Sequence, residues 1–528
     1  MNLMRLLSNR QRVGILATVT TALFLWAGTA IPGTCKAATI VDVGTRKQLL
    51  FDNLFLEKSR GVQVRMNLPH QDPEPVLVPD RPWELAIAGS ATVLFDEGKF
   101  RMWYDASGPG KPTLFLAYAE STDGVHWHKP SLGLVEYDGS KQNNILAPSH
   151  PDARTGGGTV FRDDHGPAAE RYKWWSKYYA SDEQRARGIR SGLYAWVSPD
   201  GLHWQRLGSD RGYPLSRGNA ADTQNVCFWD ADVGKYIGFV RKKMQEDQTP
   251  TRRDSEMWIG LMTSDDFENW TWAQDIFRAD EEFPVPGGKP QWQPPVNLYE
   301  PVGMKVPGVP NAYILLPTPW YHWERNGLPS TIDVELATSR DRFHWWQPAP
   351  EDRQPFLRLG PDGSASSGML FASPWPVVVG DEVWIYYCGI GALHPYPGGG
   401  GRPSHGTGIF RSRIRRDGFV SVDAGYRGGE FTTPVLTFEG GKSLQVSLDG
   451  SAGGWLQVEL LTAGGVPIPN YELDACDTIR GNSLTKTITW RGRRSDMSRL
   501  AHTPIRLRFV MRSMKLFAFQ FVESDYDE

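Results

Sequence analysis

A seven-residue signature recurs along the chain and constrains its fold more than any other feature. It reads Ser121-Thr122-Asp123-Gly124-Val125-His126-Trp127, then Ser198-Pro199-Asp200-Gly201-Leu202-His203-Trp204. Looser copies run from Ser264 to Trp270 and from Ser339 to Trp345, and a degenerate one from Arg416 to Val420. The copies stand about 65–77 residues apart, so the chain is a series of large repeated units. Each follows an alternating apolar run such as Leu114-Phe115-Leu116-Ala117-Tyr118-Ala119, with Asp-Gly or its equivalent making a tight turn and the Trp capping the next strand. Upstream of the copies lie hairpins: Ala91 to Phe95 with Phe100 to Tyr104, Asn225 to Trp229 with Tyr236 to Val240, and Val377 to Val379 with Val383 to Tyr387. Two hairpins per unit make a four-stranded blade, and closing the blades into a ring leaves only short, protected sheet edges. The pattern changes after about residue 428, where Ser443 to Leu448, Trp455 to Leu460, Ile505 to Phe509 and Leu516 to Phe521 alternate at short spacing. The expected fold is all-β: a five-bladed β-propeller over 39–427, followed by a C-terminal antiparallel β-sandwich over 428–528.

Composition narrows the class. The formal net charge of −3 with 40% apolar residues argues against a disordered chain and offers no basic surplus for nucleic acid. Residues 1–38 read as an export signal: Arg5, Arg10 and Arg12 precede an uncharged apolar run from Val13 to Gly28 and a small-residue stretch ending at Ala38. The expected location is secreted or periplasmic, an uncleaved anchor being the alternative, with no membrane contact after cleavage. Cys227, Cys388 and Cys476 are odd in number and far apart, so they suggest buried thiols rather than a disulfide framework or a zinc site. No cluster has metal-ligand spacing, and the expectation is no metal and no cofactor. No feature speaks to oligomeric state.

A signal, a five-bladed propeller and a trailing sandwich together resemble glycoside hydrolase family 32, with the family 43 arabinanases and xylosidases as neighbours. Tyr299-Glu300-Pro301 is similar to that family's aromatic-Glu-Cys-Pro motif, whose Glu is the general acid, and Phe161-Arg162-Asp163-Asp164 to its Phe-Arg-Asp-Pro motif. The family's Asn-Asp-Pro-Asn-Gly nucleophile motif is missing; Asn67-Leu68-Pro69 and Asp72-Pro73-Glu74-Pro75 are its weak stand-ins. The resemblance implies a glycosidase acting on an oligo- or polysaccharide, with furanosides the family's substrates.

The hairpin turns serve as a ruler for the site, because the start of each innermost strand and the end of the next lie at the channel mouth. Asp222 falls about eight residues before the turn at Asp230, and Glu300 lies near the same level in the fourth unit. Two carboxylates flanking a sugar bond are what hydrolysis requires, one to protonate the leaving oxygen and one to activate water or attack. Glu300 is the expected acid, and Asp222 the base, nucleophile or charge stabiliser. Glu84 or Asp105 completes the set from the first unit. The ruler aligns Asp163 with the turn residues Asp96 and Asp230, which argues for a structural role. Expected substrate contacts are Arg241, His322, His394, Asp333, Trp83 and Trp320, with Trp292, Trp323 and Trp375 as further sugar platforms. A non-catalytic glycan-binding propeller, and a phosphorylase or transferase on the same scaffold, are the rival readings.

Overall fold

The computed structural model describes residues 40–109, 114–146, 154–208, 223–243, 257–279, 296–321, 330–348, 354–394, 405–492 and 496–523. The expected signal segment, Asp222, His322, Trp292 and Trp323 lie outside them. The described chain is almost entirely β-structure; its short α-helix Asp182–Ala186 is closed at its start by a Ser181–Gln184 capping box.

Antiparallel units follow one another in sequence order. The first comprises Ala86–Asp96, Lys99–Ser107 and Leu114–Ser121; the second, Arg154–Arg162, Tyr172–Tyr179, Gly192–Ser198 and Gln205–Arg206. The third comprises Val226–Asp230, Lys235–Lys243, Met257–Ser264 and Gln274–Phe277. A fourth, led by Val296–Lys305 and Tyr313–Tyr321, joins a fifth, led by Met369–Ala372, Glu382–Ile390 and Thr407–Arg415, through the parallel Ile332–Met369 pairing. Leading strands touch in the order first–second, second–third and third–fourth, and Met369–Ala372 returns to Ala86–Asp96. The result is a propeller ring. It is fastened by a strand from before the first unit: His70–Gln71 pairs with the outer strand of the fifth, and Asp72 binds Arg411 (2.6 Å) and Arg413 (3.3 Å) of that strand.

The repeated signature is a folding device. In the four copies that end in Trp, the Asp Oδ1 accepts the backbone N–H groups two and three residues on, as Asp200 does from Leu202 (2.8 Å) and His203 (2.9 Å). The other oxygen meets the His or Asn of the copy, and these bonds draw the carboxyls of Asp200, Asp266 and Asp341 down to about 2, against the cost of desolvation. The next residue takes positive φ: Gly124 (71°), Gly201 (76°), Phe267 (68°) and Arg342 (72°). Glycine is needed only where a neighbouring unit presses in. A Cβ on Gly201 would stand 2.7 Å from the Trp103 ring, whose Nε1 donates to the Gly201 carbonyl at 2.7 Å.

A second device was half visible in the sequence. The Asp ending each of the first three leading strands accepts a hydrogen bond from the Tyr opening the second strand of the next unit. The pairs are Asp96–Tyr172, Asp163–Tyr236 (2.6 Å) and Asp230–Tyr313 (2.5 Å). Asp163 is therefore a buried inter-unit tie, also facing Lys173 at 3.5 Å, and its likeness to the Phe-Arg-Asp-Pro motif is turn chemistry.

The two sandwich sheets enclose a core of Leu444, Leu460, Leu507, Phe509, Phe519 and Phe521. Ile505–Arg512 alternates strictly between buried and half-buried residues. The sheets also take strands from the other end of the chain: Val41–Asp42 and Lys58–Arg60 in one, Gln48–Leu49 and Val62–Met66 in the other, with Val420–Ala424. Strand pairing thus crosses the expected division at 428, because the early strands supply edges that the last hundred residues lack. Arg340 ties the ring to this body through Asp52 (2.7 Å).

Candidate active site

The register of the second strands brings particular residues to one level of the ring. Counting five residues on from Phe100, Tyr172, Tyr236, Tyr313 and Val383, which occupy equivalent pairings, gives Asp105, Lys177, Arg241, Thr318 and Cys388. All five are buried. The leading strand bulges between Ile87 and Ala91, opposite Asp105; opposite Ser176, next to Lys177; and between Leu298 and Pro301, opposite Thr318. Such bulges re-aim side chains.

The last of these sets Glu300. Tyr299 and Glu300 together oppose Thr318, and the Glu300 N–H donates to Thr318 Oγ1 at 2.5 Å. The Glu300 carboxyl is 3% exposed. Its Oε1 accepts from Thr223 Oγ1 (3.2 Å) and the Gln224 N–H (3.4 Å); Oε2 has no hydrogen-bond partner among the described residues. Burial pushes its pKa up to about 8, against the Gln224 and Thr223 bonds and the Arg241 charge, with the Asp105 carboxylate adding to the rise. Glu300 is accordingly a protonated acid at neutral pH with one oxygen uncommitted.

Arg241 is 2% exposed. Its guanidinium lies 4.8 Å from the Tyr299 ring centre, and its backbone N–H is held by Asn225 Oδ1 (2.9 Å). Asp105, also 2% exposed, is felt electrostatically by both Glu300 and Cys388, and with Glu300 it helps raise the Cys388 thiol, whose burial is the main cause. Cys388 is a buried free thiol, as are Cys227 and Cys476.

The expected residues separate into groups. Glu300, Asp105 and Arg241 come together. Tyr299, Trp320 and His394 form an aromatic wall beside them, with ring centres of Tyr299–Trp320 at 5.8 Å, Trp320–His394 at 4.1 Å and Tyr299–His394 at 5.3 Å. Asp333 follows the short strand Thr331–Ile332, whose Ile332 pairs with Trp320, and is half-buried. Glu84 is elsewhere. It accepts from Tyr104 Oη (2.6 Å) and Lys129 Nζ (2.6 Å), and because Tyr104 and Asp105 are successive residues of one strand they face opposite sides of the sheet. Trp83 shares that outer network, its Nε1 donating to Asn144 Oδ1 (2.9 Å) and Asn144 in turn to Tyr104 Oη (2.8 Å). Trp375 is no sugar platform. It crosses the axis from the fifth unit to the Val160 carbonyl of the second (2.8 Å) and packs edge-on to Phe228 of the third (5.5 Å).

Sequence reasoning missed Thr223, Gln224, Lys177 and Thr318. The Asp–Tyr tie was the available signal, since its Tyr starts the count of five that finds Lys177 and Thr318 together with Arg241. Among the described residues no group of three or more His, Cys, Asp or Glu is placed to hold a metal ion, and no helix is long and apolar enough to cross a membrane.

No protein-family model matches the chain. An uncharacterized protein of Mycobacterium tuberculosis, Rv1502, is 30% identical over 149 residues, which is 27% of this chain; the chain spans 39% of that protein's length. Solved structures with a similar fold include an N-acetylgalactosamine deacetylase from F. plautii bound to blood group B trisaccharide (14% identity, 67% of this chain and 96% of that one, TM-score 0.43). A second belongs to the GH130 family of mannoside phosphorylases, which contains glycoside hydrolases targeting β-1,2 mannosidic linkages in Candida mannan (16% identity, 66% and 94%, TM-score 0.40). A third is a putative glycoside hydrolase from Parabacteroides distasonis (15% identity, 66% and 94%, TM-score 0.40).

Proposed function

We propose that the protein is a glycoside hydrolase with Glu300 as its general acid and Asp105 as a second carboxylate of the site. The observation that carries this reading is the state of Glu300: a buried carboxyl, protonated at neutral pH, set by a bulge and left with one free oxygen. A group near 8 keeps its proton for a leaving oxygen in neutral solution. Asp105 keeps negative charge nearby for an oxocarbenium-like transition state, as base, nucleophile or stabiliser, and Asp222 is the other candidate for that part. Arg241 holds a sugar hydroxyl or acid group while limiting how far the Glu300 pKa rises. Trp320 and His394 offer ring faces to a sugar. Furanosides are the first substrates to try, on the motif around Glu300, and export on the N-terminal segment would put the activity where glycans are met.

The test is a turnover screen over furanosides and plant or algal oligosaccharides with the wild type, Glu300→Gln and Asp105→Asn. Loss of an acid shows as a fall of roughly a hundredfold or more in kcat/KM on poor leaving groups and a smaller fall on 4-nitrophenyl glycosides, which leave without a proton. Asp105→Asn lowers turnover of both. Activity surviving both substitutions refutes the assignment.

A further inference from the structure

Gln224 holds a second buried oxygen of this site that has no donor among the described residues. Its side chain crosses to the leading strands of the first and second units, where Nε2 donates to the Ala91 carbonyl (2.9 Å) and the Gly158 carbonyl (3.0 Å). Those two acceptors settle which end of the amide is nitrogen, since an oxygen there would face carbonyl lone pairs. Oε1 is therefore held as an acceptor. The residue is 0% exposed, and Oε1 has no hydrogen-bond partner among the described residues. Folded proteins rarely leave a buried acceptor unmet. The Gln224 N–H reaches Glu300 Oε1, which sets the residue directly against the candidate acid.

We propose that Gln224 is a specificity-determining residue whose Oε1 accepts a hydrogen bond from one hydroxyl of the sugar held against Glu300; this rests on the glycosidase reading above. An acceptor pinned by its own donors can be met by a hydroxyl and not by an ether, a ring oxygen or an anion. A sugar lacking that hydroxyl leaves the oxygen buried and unmet, and a site built this way discriminates by the missing bond rather than by size.

The experiment uses the 4-nitrophenyl glycoside that the protein turns over fastest, together with its monodeoxy counterparts at each ring position, on the wild type and on Gln224→Met. In the wild type, one deoxy position should lower kcat/KM roughly tenfold to a hundredfold. In Gln224→Met, parent and that deoxy compound should converge to within about threefold, since the variant no longer reads the hydroxyl. The ratio of ratios cancels the intrinsic reactivity of the deoxy sugar. Unchanged discrimination in the variant overturns the proposal and means that only water meets Oε1. If Gln224→Met does not fold, the wild-type series decides alone: all deoxy compounds within about threefold of the parent overturns it. If the wild type turns over no glycoside at all, the glycosidase reading fails and this inference with it, a result distinct from turnover without discrimination.

Discussion

Glu300→Gln should make the protein more stable, and increasingly so as the pH rises. The folded carboxyl titrates near 8 and the unfolded one near 4.5. Between those values the unfolded chain has lost a proton that the native state keeps, so native stability falls with rising pH across that window. Below 4.5 both states are protonated and the contribution vanishes. At about 1.4 kcal/mol per pH unit, the penalty is about 3 kcal/mol at pH 7 and about 5 kcal/mol at pH 9. Glutamine has the same shape, keeps an oxygen for Thr223 Oγ1 and the Gln224 N–H, and carries no charge to desolvate. The assay is calorimetric melting of wild type and variant from pH 4.5 to 9. For a chain this long, about 1 kcal/mol moves Tm by about 1 °C. The variant should melt within about 1 °C of the wild type at pH 4.5, and about 3 °C above it at pH 7. A gap that is flat with pH, or that widens toward acid, refutes the claim that Glu300 is stored protonated.

Other perturbations follow from the same geometry. Asp105→Asn removes a charge that raises the Glu300 pKa, so the alkaline limb of kcat/KM should move to lower pH; Arg241→Met should move it higher, and pH–rate profiles read both. Tyr236→Phe deletes the donor to the buried Asp163 and should cost about 2 kcal/mol in a urea melt, with turnover unaffected. Lys129→Met leaves Glu84 buried without its cation and should cost about 3–5 kcal/mol, most of it regained in Lys129→Met/Glu84→Gln. Gly201→Ala places a methyl against Trp103 at positive φ and should lower stability by about 1–3 kcal/mol, whereas Gly98→Ala, with open space around it, should cost only the backbone strain.

The repeated signature made the all-β ring legible because its Asp, Gly and Trp each do local work, and local hydrogen bonds leave a regular trace in sequence. Of the candidate site, the motif pointed to Glu300, and the ruler of strand ends to Asp105 and Arg241. Glu84 could not be separated from Asp105 by spacing, because the choice depends on which face of the strand binds Tyr104 and Lys129, and Lys129 is 45 residues away. Gln224 was hidden for a related reason. Its amide is held by two carbonyls in other units, Ala91 and Gly158, and nothing in its own neighbourhood announces them. The edges of the sandwich escaped because strands near residues 41–66 are short and pair with partners more than 350 residues on.

The indole of Trp375, reaching across the axis to Val160 and Phe228, has a bearing on traffic. It meets those strands nearer their turns than the level of Ala91, Gly158 and Asn225, and so stops the bore beneath Glu300. A stopped bore is a well and not a pipe. On the glycosidase reading proposed above, a glycan descending to the acid arrives by an end or a side branch, and the released piece leaves past the Tyr299, Trp320 and His394 rings. On that reading, departure of the severed piece shares a doorway with the arrival of the next, and the rim becomes as much a part of turnover as the floor.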